Sequence, residues 1–212
     1  MPKPHIFQSR DDLIQSLRAT STQELAESFF AQRTATVTCV TQEGVGGNTF
    51  RAFRNLPVRP SVAFRTWTAV QVEQSLPQLL QSCSASQTYA NYVHDLTLAL
   101  NQYWLQHAQS EMGYGRGAKL LNLVLKKLAC YARLSDQQRS SLIQLLHVPL
   151  DSYTIVGLHR VAPQFRIPKN ATMKFITTPA QYNQFQAFIA SVTRDAGVPP
   201  IYYDILAWDR AH

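Results

Sequence analysis

The 212-residue sequence predicts an all-α fold with room for a minor β element, and three observations predict it. Apolar residues recur at helical rather than strand spacing in the longest patterned stretches. Helix-starting residues stand ahead of such stretches at Ser9, Ser21, Ser135, Asp151 and Thr178. A 45% apolar composition, with ten Phe, nine Tyr and three Trp, supplies the interior those helices would bury. The length suits one domain spanning 1–212, large enough to be two-lobed.

Ser9 precedes DDLIQSLRA, and Ser21 with Glu24 forms a capping box ahead of LAESFFAQR, so two short helices open the chain. From about Thr34 to Thr66 the pattern turns β-branched, passes through EGVGGN, and then sets Arg51, Arg54, Arg59 and Arg65 among Phe and Pro. That stretch reads as an irregular basic segment with short strands as an option. Helical periodicity returns from Val70 to Gln81. It is strongest from Ser86 to Gln109, where Tyr89, Val93, Leu96, Leu100, Tyr103 and Trp104 make one stripe. After MGYGRG, the segment AKLLNLVLKKLACYA places Leu121, Val124, Leu125 and Leu128 on one face. Ser135 and Asp136 open the next helix and Asp151 another. Thr178 with Gln181 caps a helix running to Asp195, and Pro199 and Pro200 start the last, IYYDILAWDRA. About eight helices result.

Twenty Lys and Arg against thirteen Asp and Glu leave a net charge of +7, which suits a polyanion such as DNA or RNA, though solubility alone is an alternative reason. Cys39, Cys83 and Cys130 form no CxxC pair and have no His at metal spacing, so neither a structural metal nor a disulfide framework is expected. No apolar run approaches the ~20 residues of a spanning helix, and MPKPHIFQSRDD lacks a signal-peptide core. The expectation is a cytoplasmic, soluble monomer with no cofactor, no metal and no membrane partner.

The stretch that carries chemistry is Gly115-Arg116-Gly117-Ala118-Lys119, running into Leu120-Leu121-Asn122-Leu123-Val124-Leu125. Two glycines allow a tight hairpin, spanning 112–119, whose backbone N–H groups can face a phosphate, with Arg116 and Lys119 adding charge. An ordinary interhelical turn and solvated lysines are the competing reading, and Lys126 and Lys127 read as surface.

This stretch resembles the hairpin and following helix of the helix-hairpin-helix DNA glycosylases, whose endonuclease III branch reads GxGxKxxNxVL; each fixed letter is present. The resemblance implies that Lys119 is the amine nucleophile of bifunctional members. It also makes Asp151, in the segment 147–160 (His147-Val148-Pro149-Leu150-Asp151-Ser152), the catalytic aspartate, and Gly115, Arg116, Gly117 and Lys126 the DNA-binding set. It implies two helical lobes with a cleft, and duplex DNA with a modified base as the partner. The similarity covers roughly residues 113 to 160. Lys119 and Asp151 stand 32 positions apart, longer than the family's usual spacing, because a helix from Ser135 to His147 lies between them. Gly113-Tyr114 replaces the family's Leu-Pro, Thr154 or nothing replaces its His, and the C-terminal cluster cysteines are missing.

The chemistry implied is consistent with those residue types. Breaking an N-glycosidic bond builds positive charge on the sugar, which a carboxylate stabilises, and a desolvated amine can attack C1′ and give a Schiff base. An extruded base needs aromatic stacking, for which Trp67, Trp104, Tyr202, Tyr203 and Trp208 are candidates. Asp151 also reads as a plain helix N-cap. The arginines of 51–65 either track phosphates or are solvated, and the histidines receive no role. The expected function is excision of a modified base, an oxidised guanine or a glucosylated hydroxymethylcytosine of phage DNA, with a non-catalytic DNA-binding module and an RNA-directed toxin or nuclease as alternatives.

Overall fold

Side-chain caps decide where many of the helices begin. The structure, a computed structural model, describes residues 3–53 and 56–211. Ser9 accepts a hydrogen bond from the Asp12 N–H and starts α1 (Arg10–Arg18). Reciprocal capping boxes start α7 (Asp136–Leu145), through Ser135 and Gln138, and α8 (Ser152–Gly157), through Asp151 and Thr154. Thr178 caps α9 (Pro179–Ala196), which ends on Gly197 in the left-handed region.

Among the described residues the protein is all-helical, without a strand; Thr34 and Tyr131 form one isolated parallel bridge. Strands are therefore not what the β-branched run forms. Thr36 accepts from the Cys39 N–H and starts α3 (Val37–Gly44), whose Val37 and Val40 are buried, so tertiary packing overrides β propensity there. A 3-10 segment, Gly47–Phe53, follows. Arg54 lies outside the described residues. The next helix, α4 (Pro60–Ser82), starts ten residues before the predicted Val70, because Pro60 at its first position is pre-set for helix entry. The Ser21–Glu24 box does not form: α2 (Thr20–Ala31) begins two residues earlier than that box requires, after Ala19, with no side-chain cap.

The two long central helices, α5 (Ser86–Ala108) and α6 (Tyr114–Leu128), join through a turn at 109–113 in which Gln109 (φ 50°) and Gly113 (φ 81°) both take the left-handed region. α6 packs on α3, α5, α9 and the 3-10 turn Met173–Phe175, and is buried along most of its length. The last helix, α10 (Tyr202–Asp209), packs on α1, α2, α8 and α9. α6 and α9 touch directly. No described helix is long and apolar enough to cross a membrane.

Candidate functional site

Helical spacing puts Lys119, Asn122 and Lys126 on one side of α6. That side meets α8 and α10. Lys119 Nζ lies 3.7 Å from Asp151 Oδ2. The pair forms despite the intervening α7, and both residues are nearly buried, at 9% and 8% exposure. Asp151 divides its two oxygens between two tasks. Oδ1 accepts from the backbone N–H of Tyr153 (2.9 Å) and Thr154 (3.3 Å), capping α8. Oδ2 is the atom turned to Lys119. The Thr154 hydroxyl accepts from the Asp151 N–H at 2.9 Å, fixing the cap's geometry.

Burial pushes the Asp151 carboxyl above its ordinary value, Lys119 opposes the rise, Asp204 adds to it, and the two capping N–H groups lower it. Burial is the largest of these influences and prevails, so the site works against the charged form of the carboxyl. Asp204, on α10 and only 1% exposed, places Oδ2 2.7 Å from Lys126 Nζ, while its Oδ1 has no hydrogen-bond partner. Two Lys–Asp pairs therefore sit along one side of α6. The neighbouring Tyr203 donates its hydroxyl proton to Thr154 O at 2.7 Å, tying α10 to α8.

The residues of the expected DNA-binding set, and Lys127 beside them, have structural surroundings. Lys126 is no surface cation: its side chain is 12% exposed, paired with Asp204, and stacked over Phe29 at 4.4 Å. Lys127, read as surface, is buried against Gln32 (2.7 Å) and Glu43 (2.9 Å). Gly115 and Gly117 lie inside α6, not in the turn. A Cβ on Gly115 would meet Ile176 O at 2.3 Å and Met173 O at 2.8 Å, so glycine is needed there because the 173–176 segment packs against the helix. Gly117 faces Asn101 and the Met112 sulfur across α5 and the turn. The glycine that shapes the turn is Gly113. Arg116 is half-buried, donates to Glu111 O at 3.0 Å and lies over Phe53.

Comparison of the chain with protein-family models, characterised proteins and solved structures finds no match. The site's chemistry rests on its own geometry.

Of the aromatic candidates, Trp104 and Tyr203 are fully buried core, Trp67 stacks on Tyr103, and Tyr202 stacks near Phe30. Trp208 is different. It is 44% exposed, and its ring lies 5.2 Å from that of Tyr153, two residues beyond Asp151. Arg65 donates to Val45 O at 2.7 Å just beyond the C-terminus of α3, a structural task, whereas Arg51 and Arg59 are exposed. Among the described residues no cluster of His, Cys, Asp and Glu could hold a metal ion.

Sequence reasoning gave no role to Asp204, in the first turn of α10, or to His147 and Tyr182. The His147 Nδ1 lies 2.9 Å from the Tyr182 hydroxyl, which also accepts from Asn122 Nδ2 at 2.7 Å. Only Asn122 belonged to the motif, so no local pattern marked that chain of contacts.

Proposed function

We propose that the protein is a DNA glycosylase of the helix-hairpin-helix kind, excising a modified or damaged base from duplex DNA and leaving an abasic site. The observation that carries this reading is the Lys119–Asp151 pair: an ammonium and a carboxylate, nearly buried, brought to 3.7 Å from positions 32 apart. The short turn between α5 and α6 and the net charge of +7 support it.

In the reaction, the C1′–N bond breaks and its electron pair leaves on the base. Asp151 Oδ2 stabilises the positive charge that builds on the sugar, and water adds to C1′. Where Lys119 is the nucleophile, it first passes a proton to Asp151 Oδ2; its amine then displaces the base at C1′, the departing base takes up a proton, and breaking of the sugar's C1′–O4′ bond leaves the Schiff base. Trp208, exposed and 5.2 Å from the ring of Tyr153, two residues beyond Asp151, is the candidate stacking surface for the extruded base. Of the two substrate classes, a bulky modified cytosine of phage DNA, such as glucosylated hydroxymethylcytosine, is favoured over oxidised guanine, on analogy with the wider family rather than on a residue of this chain.

The test is release of free base, read by mass spectrometry, from duplexes carrying oxidised, alkylated or glucosylated bases. Wild type releases one of them, and Asp151→Asn releases it at least ~10²-fold more slowly. Borohydride trapping of a covalent complex in wild type, absent in Lys119→Gln, assigns the amine. No release from any duplex, with DNA affinity intact, replaces this reading with a non-catalytic DNA-binding module.

A further inference from the structure

A second concave site lies elsewhere on the protein. It is a groove of about 280 Å³ between the start of α5, the end of α7 and the middle of α9, and neither Lys119 nor Asp151 lines it. Small side chains, Ala90, Ala187 and Ala190 with Pro200, leave it open, and no Asp, Glu, Lys or Arg contributes to its lining. Its polar groups are uncharged. Gln144 offers an amide from α7 and Asn183 another from α9, each with one donor and one acceptor end. Gln186 is a buttress: its amide accepts from Val148 N at 2.9 Å and donates to Val148 O at 2.8 Å, holding in place the segment that carries His147.

His147 lines the groove with its ring oriented from behind. The Tyr182 hydroxyl accepts from Asn122 Nδ2, so its single proton goes to His147 Nδ1. The imidazole proton then resides on Nε2. Burial pushes the imidazolium pKa down to about 4, so near pH 7 the ring is neutral. The result is one oriented N–H donor beside two adaptable amides in a cavity without charge.

We infer that this groove binds an uncharged ring compound with hydrogen-bonding edges, of the size of a nucleobase or nucleoside, with His147 Nε2–H meeting an acceptor of the ligand and Gln144 and Asn183 reading its edge. Paired donor–acceptor amides complement base edges, and charged ligands find no counter-charge here. The volume lies just under the roughly 300 Å³ at which pockets for drug-sized ligands begin, which suits a ligand of nucleobase or nucleoside size. The inference is independent of the glycosylase reading.

The test is an NMR titration of the full chain, in ¹H–¹⁵N correlation spectra, with adenosine, inosine, cytidine and thymidine, and with glucose as an uncharged non-planar comparison. At least one nucleoside is expected to shift amides of residues 86–90, 144–147 and 183–190 saturably, and glucose is not. Ala187→Trp, at an exposed position of α9, fills the groove and abolishes the shifts while circular dichroism stays unchanged. His147→Phe weakens binding about tenfold, the worth of one hydrogen bond from a buried donor. Asp151→Asn leaves it unchanged, so loss of base release and loss of nucleoside binding are separate outcomes. Shifts from none of the nucleosides, equal shifts from glucose, or shifts that survive Ala187→Trp overturn the inference.

Discussion

Gly115 and Gly117 stand two residues apart in one helix, and replacing each with alanine separates packing from phosphate contact. At Gly115 a Cβ would come within 2.3 Å of Ile176 O and 2.8 Å of Met173 O, both backbone atoms that no rotamer change can move. Overpacking of this kind costs about 1–3 kcal/mol, and the backbone neighbours put it at the upper end. Alanine's helix propensity returns ~1 kcal/mol, for a net loss of about 2 kcal/mol. At Gly117 the nearest atoms are 3.4–3.5 Å away, ordinary contact, so the propensity gain of up to ~1 kcal/mol stands. Urea denaturation is then expected to show Gly115→Ala less stable than wild type and Gly117→Ala equal or more stable. In thermal melts Gly115→Ala loses about 4–8 °C at ~2–4 °C per kcal/mol for a chain of this size. DNA affinity measured below the melting range stays within a factor of two for both variants. Equal stability of the two variants, or a tenfold loss of DNA affinity in Gly117→Ala, would refute the packing argument.

Three further outcomes follow from the same geometry. Asp151→Asn keeps a capping oxygen while Asp151→Ala loses it, so the alanine variant is expected to be ~1 kcal/mol less stable than the asparagine variant by urea denaturation, with base release lost in both. Lys126→Met strands the buried Asp204 carboxylate and costs ~3–5 kcal/mol, Asp204→Leu added to it recovers most of that, and the slope of log DNA affinity against log salt does not change. His147, with its folded pKa lowered to about 4, binds its proton more weakly in the folded than in the unfolded chain; its stabilisation is complete above about pH 6.5, is lost as pH falls towards 4, and reaches up to about 3 kcal/mol, so the pH dependence of urea stability over that window flattens in His147→Phe.

What could be read from the sequence divides by the range of the interaction that decides it. Ser9, Ser135, Asp151 and Thr178 start their helices as expected because a cap is settled within four residues by one side chain and one backbone N–H. α3 was illegible because Val37, Thr38, Val40 and Thr41 favour strands locally, and only burial makes them helical. The glycines of the motif misled for a related reason. A turn glycine and a packing glycine are the same letter, and the difference at Gly115 lies in Ile176, 61 residues downstream. Asp151 and Lys119 were singled out by the resemblance of residues 113–160 to the glycosylase motif; nothing local pointed to Asp204, whose partner Lys126 is 78 residues away.

The two charge pairs on α6 also differ in a way that bears on their tasks. Replacing a buried ion pair with well-packed apolar residues is often neutral or stabilising, so stability alone does not explain keeping two of them on one helix. Lys126 and Asp204 make a 2.7 Å contact with an aromatic ring beside the ammonium, a closed pair within hydrogen-bond range. Lys119 and Asp151 are held at 3.7 Å, outside hydrogen-bond range, while the other carboxylate oxygen is fixed by the backbone of α8. A carboxylate anchored by one oxygen, with the second oxygen facing an ammonium it does not bond, pays for its burial without the full return of a closed pair. In the proposed glycosylase reaction, this is the oxygen for which a positive charge developing on the sugar would compete with Lys119.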